Sequence, residues 1–303
     1  MSRSSGPPPV VAVDLGGTWL RVAAFDGAGE MGEPVRVPTP AADGPTRVVE
    51  AICELVTAAA AGGRPRLVIG VPGPVDPARG VVHGAPNLPG WREVPLRELV
   101  ERQLGWECRV EHDAGLAALG EHRRGAGRGS TNFAYVTVST GIGAGLILGR
   151  RLYRGSQGTA GEFGHVVVEP DGPRCRCGNR GCLEAVASGT AIAERGRRAS
   201  GAEVSRAAAA GDPEAQAVLD RAAAHLGRAL GGLLNLLNLD AVALGGGVFN
   251  AGPRFWERMV AAVAEGSFPG PRRHARLAPA ELRGDAGLLG AYELADGDWA
   301  TAD

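Results

Sequence analysis

The sequence predicts an α/β protein built from two similar halves. Three observations support this. Short, β-branched apolar runs alternate with stretches of helical spacing. Each half opens on the same grammar of strand, glycine turn bearing a threonine, and second strand: Val10–Asp14, DLGGT and Trp19–Phe25 in the first, Phe133–Val138, a turn at Thr140–Gly145 and a strand to Leu148 in the second. Finally, 303 residues suit roughly two domains of about 100–200 residues each.

Taken in order, Val10–Asp14 breaks at Gly16-Gly17 and resumes as Trp19–Phe25, the pattern of a β-hairpin with its tight turn at DLGGT. Helical spacing over Thr46–Ala61 predicts a helix, and Leu67–Val71 a buried strand that ends in the turn-rich PGPVDPARG. A helix near Val94–Leu104, a strand at Cys108–Glu111 and a helix over Asp113–Arg124 complete the first half. In the second half, residues 150–184 form a long loop-like stretch rich in Gly, Arg and Cys, which points to a functional or metal-ordered segment. Helices follow near Leu183–Arg198 and Pro213–Leu239, the latter with Leu219, Ala222, Leu226, Leu230, Leu233 and Leu237 at three- and four-residue steps. A strand at Ala241–Leu244, the turn Gly245–Gly247, and helices near Pro253–Ala264 and Ala286–Ala295 close the chain.

Composition narrows the chemistry. All 32 formal cations are Arg and none is Lys, which excludes a Walker phosphate loop, a protein-kinase lysine and Schiff-base catalysis. Phosphate would have to be handled by backbone amides, Arg and metal. A net charge of −1 gives no reason to expect nucleic-acid or membrane binding. No run of about 18 uncharged apolar residues is present, so no transmembrane helix is expected. The lead MSRSSGPPP lacks an apolar signal core, and cytoplasmic residence follows as the default. In that reducing compartment, three Cys within eight positions suggest metal before disulfide.

Four places could carry chemistry. In Asp14-Leu15-Gly16-Gly17-Thr18, the glycines let backbone amides approach an anion, Thr18 can donate to phosphate oxygens and Asp14 can hold Mg²⁺; a plain hairpin turn is the alternative. Ser139-Thr140-Gly141-Ile142-Gly143-Ala144-Gly145 repeats the pattern, and Gly245-Gly246-Gly247 follows a strand and precedes a helix as a nucleotide platform would. Three such turns in two similar halves favour a split nucleotide site over unrelated loops. His165 with Cys175, Cys177 and Cys182 offers one imidazole and three thiolates, a closed tetrahedral set for structural Zn²⁺, with free thiols or a redox pair as the alternative. Asp113, in Glu111-His112-Asp113 between a strand and a helix, could take the proton of an attacking hydroxyl; on local sequence alone an N-cap is the simpler reading. Cys53 and Cys108 have no partner motif and read as core residues.

Together these motifs resemble the ROK family of sugar kinases and related repressors, most closely its bacterial glucokinases, over about Val10 to Leu294. The resemblance rests on Asp14–Thr18, Pro72-Gly73-Pro74-Val75-Asp76, Asn87-Leu88-Pro89-Gly90-Trp91, Asp113 with Ala117–Glu121, the run Thr140 through His165, and the cysteine signature Cys175, Cys177, Gly178, Gly181, Cys182 and Glu184. It implies the actin-like, ribonuclease-H-like ATPase fold, two α/β lobes around a cleft. The smaller lobe would be residues 1–113 with the C-terminal helix 286–303, and the larger 114–285, carrying the zinc loop 150–184. It also implies ATP- and Mg²⁺-dependent phosphorylation of a hexose at its 6-hydroxyl, with a structural zinc and a homodimeric or homotetrameric assembly.

Position by position, the resemblance makes Asp113 the general base. Asn87, His112, Glu162, His165 and Glu184 become the sugar contacts, with Gly73 near the sugar through its backbone. Asp14, Gly16, Gly17, Thr18, Thr140, Gly141 and Gly245–Gly247 fall at the nucleotide. His165 would both ligate zinc and touch the sugar. Two positions depart from the family's ENDAN pattern, His112 for Asn and Gly115 for Asn. Because an imidazole offers one bond per ring nitrogen, His112 bears on which sugar is taken, with glucose first and N-acetylated hexosamines, mannose or a cyclitol behind it. The family's repressor branch carries a helix-turn-helix domain ahead of the first phosphate motif; with that motif beginning at Asp14, a regulator is not expected.

Overall fold

The computed structural model describes residues 9–85 and 87–297. These form two compact units, the first comprising the chain up to Gly125, residues 152–160 and those from Gly284 onward, the second residues 126–151 and 161–283.

In the first unit, β1 (Val10–Leu15) and β2 (Trp19–Phe25) form the expected hairpin, with Leu15 opposite Leu20 and Asp14 opposite Arg21. They are followed by β3 (Val35–Pro38), α1 (Gly44–Ala59) and β4 (Arg66–Val71). Next come the short β5 (Val75–Asp76), β6 (Val81–Gly84) and β7 (Arg92–Val94), then α2 (Leu96–Leu104), β8 (Cys108–His112) and α3 (Asp113–Arg124). The main sheet runs β3-β2-β1-β4-β8, and β5-β6-β7 make a small second sheet. β1, β4 and β8 are parallel, while β2 and β3 are antiparallel additions. β1 and β4 are central and covered on both faces, which is why they read as near-continuous apolar runs. α1 opens with Pro45 in its first turn and buries Val48, Val49, Ile52, Cys53 and Val56, one helical stripe against that sheet.

The second unit repeats the plan. It contains β9 (Phe133–Val138), β10 (Ile142–Leu148), β11 (Arg151–Leu152), α4 (Leu183–Ala187), α5 (Gly189–Arg195), α6 (Gly201–Ala209), α7 (Pro213–Leu237), β12 (Ala241–Gly245), α8 (Pro253–Gly266), α9 (Pro269–His274) and β13 (Arg276–Pro279). Its sheet runs β11-β10-β9-β12-β13, so both sheets place their strands in the order third, second, first, fourth, fifth. The duplication, faint in the sequence, is complete in the topology. α7 is capped by Asp212, whose carboxylate accepts from the amides of Glu214 and Ala215, and ends at Asn238 in the left-handed region. Leu219, Leu226 and Leu230 pack with Val136, Val242, Phe255 and Met259 in the second core.

The last helix, α10 (Ala286–Gly297), returns to the first unit and packs on α3 and β1. A Cβ on Gly120 would strike the carbonyl of Ala286, and one on Gly290 that of Leu116, so two glycines set how closely α3 and α10 approach.

Two local expectations change. The second turn is confined to Ser139–Gly141; Gly143 and Gly145 lie inside β10, paired with Thr137 and Tyr135, because the ladder satisfies their backbone better than a loop would. The single helix expected over Leu183–Arg198 is broken at Ser188, which turns extended and caps α5 through the amide of Ala191. Helix α6 and strands β3, β5–β7 and β13 had no clear periodic signal. Among the described residues, no helix is long and apolar enough to cross a membrane.

Candidate active site

In the first unit, the hairpin turn lies against Asn87, and Asp14 at its start feels the charge of Asp113 at the β8–α3 junction. The Gly16 amide donates to the Trp19 carbonyl at 2.9 Å and closes the turn. A Cβ on Gly17 would lie 2.6 Å from both the Cβ and the carbonyl oxygen of Asn87, so the DLGGT turn rests directly on Asn87. Only glycine fits there. Gly73 has a φ of +85°, the left-handed region that exposes its backbone without strain.

Asp113 is the first residue of α3, one position beyond the extended His112. Its Oδ1 accepts from the Ala114 amide at 2.6 Å and lies 3.4 Å from His112 Nε2. The Asp113 side chain is 42 % exposed, whereas that of His112 is 16 % exposed. At the end of β1, Asp14 has its carboxyl pushed up to about 6, chiefly by burial, then by the charges of Asp113 and Asp285 against the pull of Arg21. Such an excess of negative charge suits a divalent cation.

Arg21 was not singled out in the sequence. It stands 3.6 Å from Asp14 Oδ2 and also holds the Asp285 carboxylate and the Gly284 carbonyl. The signal was available: counting back from the DLGGT turn pairs residue 14 with residue 21 across the hairpin.

In the second unit, Glu184 reaches the second turn. Its Oε2 accepts from the Ile142 amide at 2.9 Å and would sit 2.6 Å from a Cβ on Gly141. The start of α5 is tied to the same turn, with the Gly189 amide donating to Ser139 at 2.7 Å and the Thr190 hydroxyl to the Thr140 carbonyl at 2.9 Å. Gly246, at φ +95°, lies against the Val138 carbonyl, so the third glycine cluster sits beside the end of β9. Thr140, Gly141 and Gly246 thus gather at one end of this sheet.

His165, Cys175, Cys177 and Cys182 converge with their ligand atoms within 4.8 Å of one another. Cys175 Sγ lies 3.6 Å from His165 Nδ1, and Cys177 Sγ 3.6 Å from Cys182 Sγ. A tetrahedral ion with Zn–S bonds of about 2.3 Å spaces its sulfurs about 3.8 Å apart, so the donor set fits zinc. With Nδ1 turned to the cysteines, His165 Nε2 faces Glu162 at 3.7 Å, an acid that would fix the ring. Cys53 and Cys108 are buried core thiols, Cys53 pushed up to about 11 and Cys108 higher still by burial, and both are therefore inert.

Comparison with known proteins identifies the family. The ROK family profile matches residues 10–298. The chain is 35 % identical to a glucokinase of Thermotoga maritima, over 94 % of this chain and 96 % of that one. It superposes on a ROK hexokinase from Thermus thermophilus with a TM-score of 0.83 at 40 % identity, covering 94 % of this chain and 96 % of that one. It also superposes on a ROK glucokinase from Streptomyces griseus in complex with glucose and AMPPNP, with a TM-score of 0.81 at 35 % identity over 94 % and 98 %. With the duplicated sheet order, these likenesses give the chain the actin-like ATPase fold, and it belongs to the ROK family.

Proposed function

We propose that the protein transfers the γ-phosphoryl group of ATP to the 6-hydroxyl of a hexose, with glucose as its first substrate. The observation that carries this reading is the contact of Gly17 with Asn87, which sets a phosphate turn against a sugar-motif residue in the unit that also holds Asp14 and Asp113.

The sugar oxygen attacks the γ-phosphorus, its proton passes to Asp113, and the bond to the bridging oxygen breaks to release ADP. Gly16, Gly17 and Thr18 would donate to phosphate oxygens, and Thr140, Gly141 and Gly245–Gly247 would serve the nucleotide in the second unit. Asp14 would hold the Mg²⁺ that neutralises phosphate charge. Asn87, His112, Glu162, His165 and Glu184, with the Gly73 backbone, would grip hydroxyls, and a site built of such groups penalises analogues that leave them unpaired. His165, Cys175, Cys177 and Cys182 would hold zinc as a structural ion that steadies His165 and Glu162. A cytoplasmic homodimer or homotetramer, without nucleic-acid partners, completes the reading, supported by the family and the near-neutral charge.

A coupled ADP-release assay across glucose, mannose, N-acetylated hexosamines and a cyclitol tests it. Glucose should give the highest kcat/KM, and Asp113→Ala should lower kcat by about 10²–10⁴. Near-wild-type turnover by that variant would overturn the assignment of the base.

A further inference from the structure

Residues 152–160 belong to the first unit although the chain on both sides of them lies in the second. Three attachments hold this strap. Leu152 Cδ1 lies 3.7 Å from where a Cβ on Gly115 would stand. Arg154 Nε donates to Glu111 Oε2 at 2.7 Å. Gly158, at φ +80°, presses on β5, where a Cβ would come within 2.7 Å of the Val75 carbonyl. The Ala160 amide closes the strap on the Arg154 carbonyl at 2.9 Å.

Glu111 is 2 % exposed, so its charge must be paired inside the fold. Its second oxygen, Oε1, accepts from the His112 amide at 3.0 Å. One carboxylate therefore joins the strap to the backbone immediately before Asp113. The other end of the strap rests on Val75, two residues past Gly73, and Glu162 follows Ala160 by two positions in the chain. Gly115 makes room for this seat. A longer side chain there would meet Leu152, His112 Cβ and Glu111 Oε1, all of which lie 3.7–3.8 Å from the Cβ position.

We infer that Arg154 is a positioning residue for the sugar: its pair with Glu111 fixes the strap and, through the His112 amide, the placement of His112 and Asp113. The inference rests on the sugar-kinase reading. Arg154 does not touch the reacting atoms; it sets the geometry in which sugar is gripped, and small displacements of gripping groups are costly.

The experiment measures kcat, KM for the best sugar, KM for ATP and the melting temperature in wild type, Arg154→Gln, Glu111→Gln, the double variant and Arg154→Lys. Each Gln variant should raise the sugar KM about tenfold while leaving the ATP KM unmoved, and Arg154→Lys should recover part of the loss. Because the two residues act as one pair, the double variant should be no worse than either single change. It also leaves no unpaired buried charge, so it carries the measurement if a single variant fails to fold. A lower melting temperature with an unchanged sugar KM, or additive effects in the double variant, would overturn the inference alone. Wild-type protein without turnover on any sugar would overturn the kinase reading and this inference with it.

Discussion

At pH 7.5 Asp14 is ionised at a cost, because burial and the Asp113 charge raise its carboxyl to about 6 in the folded protein from the ordinary 3.8. The folded state thus holds a proton that the unfolded state releases between those values, so the contribution of Asp14 to stability falls as pH rises from about 4 to 6 and is level above. With the side chain 31 % exposed, solvent screens part of the effect, leaving on the order of 1–2 kcal/mol. Asp14→Asn should therefore raise the melting temperature of metal-free protein at pH 7.5 by a few degrees, yet abolish most turnover; a melt beside the ADP assay measures both. Of the site, Asp14, Gly17, Asn87 and Asp113 were legible in the sequence because their motifs are contiguous. The pairing of Glu111 with Arg154 and the seating of Leu152 on Gly115 were not, because the partners stand about forty residues apart and nothing local marks them. Arg21 lay between these cases, recoverable from the hairpin register alone.

Among elements, α3 and α10 depend on glycines that have no turn to make. Gly290→Ala forces a methyl group against the Leu116 carbonyl, so the helices must separate, and we expect a loss of about 3 kcal/mol, read as a lowered denaturation midpoint. The loop that carries His165 and the three cysteines gives a second expectation. Its backbone is held by turns and by the bridges Val167↔Cys182 and Arg174↔Arg180, with no long helix or strand of its own, so chelation should accelerate hydrogen exchange over residues 161–183 and weaken sugar binding. Elemental analysis finding no zinc in metal-replete protein would refute the ligand set. The same contrast explains which elements sequence reasoning recovered. α7 and β9 bury long, regular stripes, whereas β5, β6 and β7 are two to four residues long and owe their pairing to one another. The break at Ser188 was hidden because apolar spacing continues across it and only the cap, seen in three dimensions, divides α4 from α5.

On the scale of the whole molecule, the absence of lysine has a direct reading. Amine-directed reagents can reach only the N-terminal amine, so treatment with an acylating reagent should leave ADP release largely intact. The first unit is also assembled from three separate stretches of chain, the last of them starting at Gly284, whereas the second is complete by Arg283. During synthesis the half made first is therefore finished last. β1 and α3 leave the ribosome with the surface that α10 will cover still bare, and must wait while the entire second unit is translated. Such a chain invites protection by holding chaperones over the interval, and a stop codon only a few residues before α10 would strand the unit that carries Asp113.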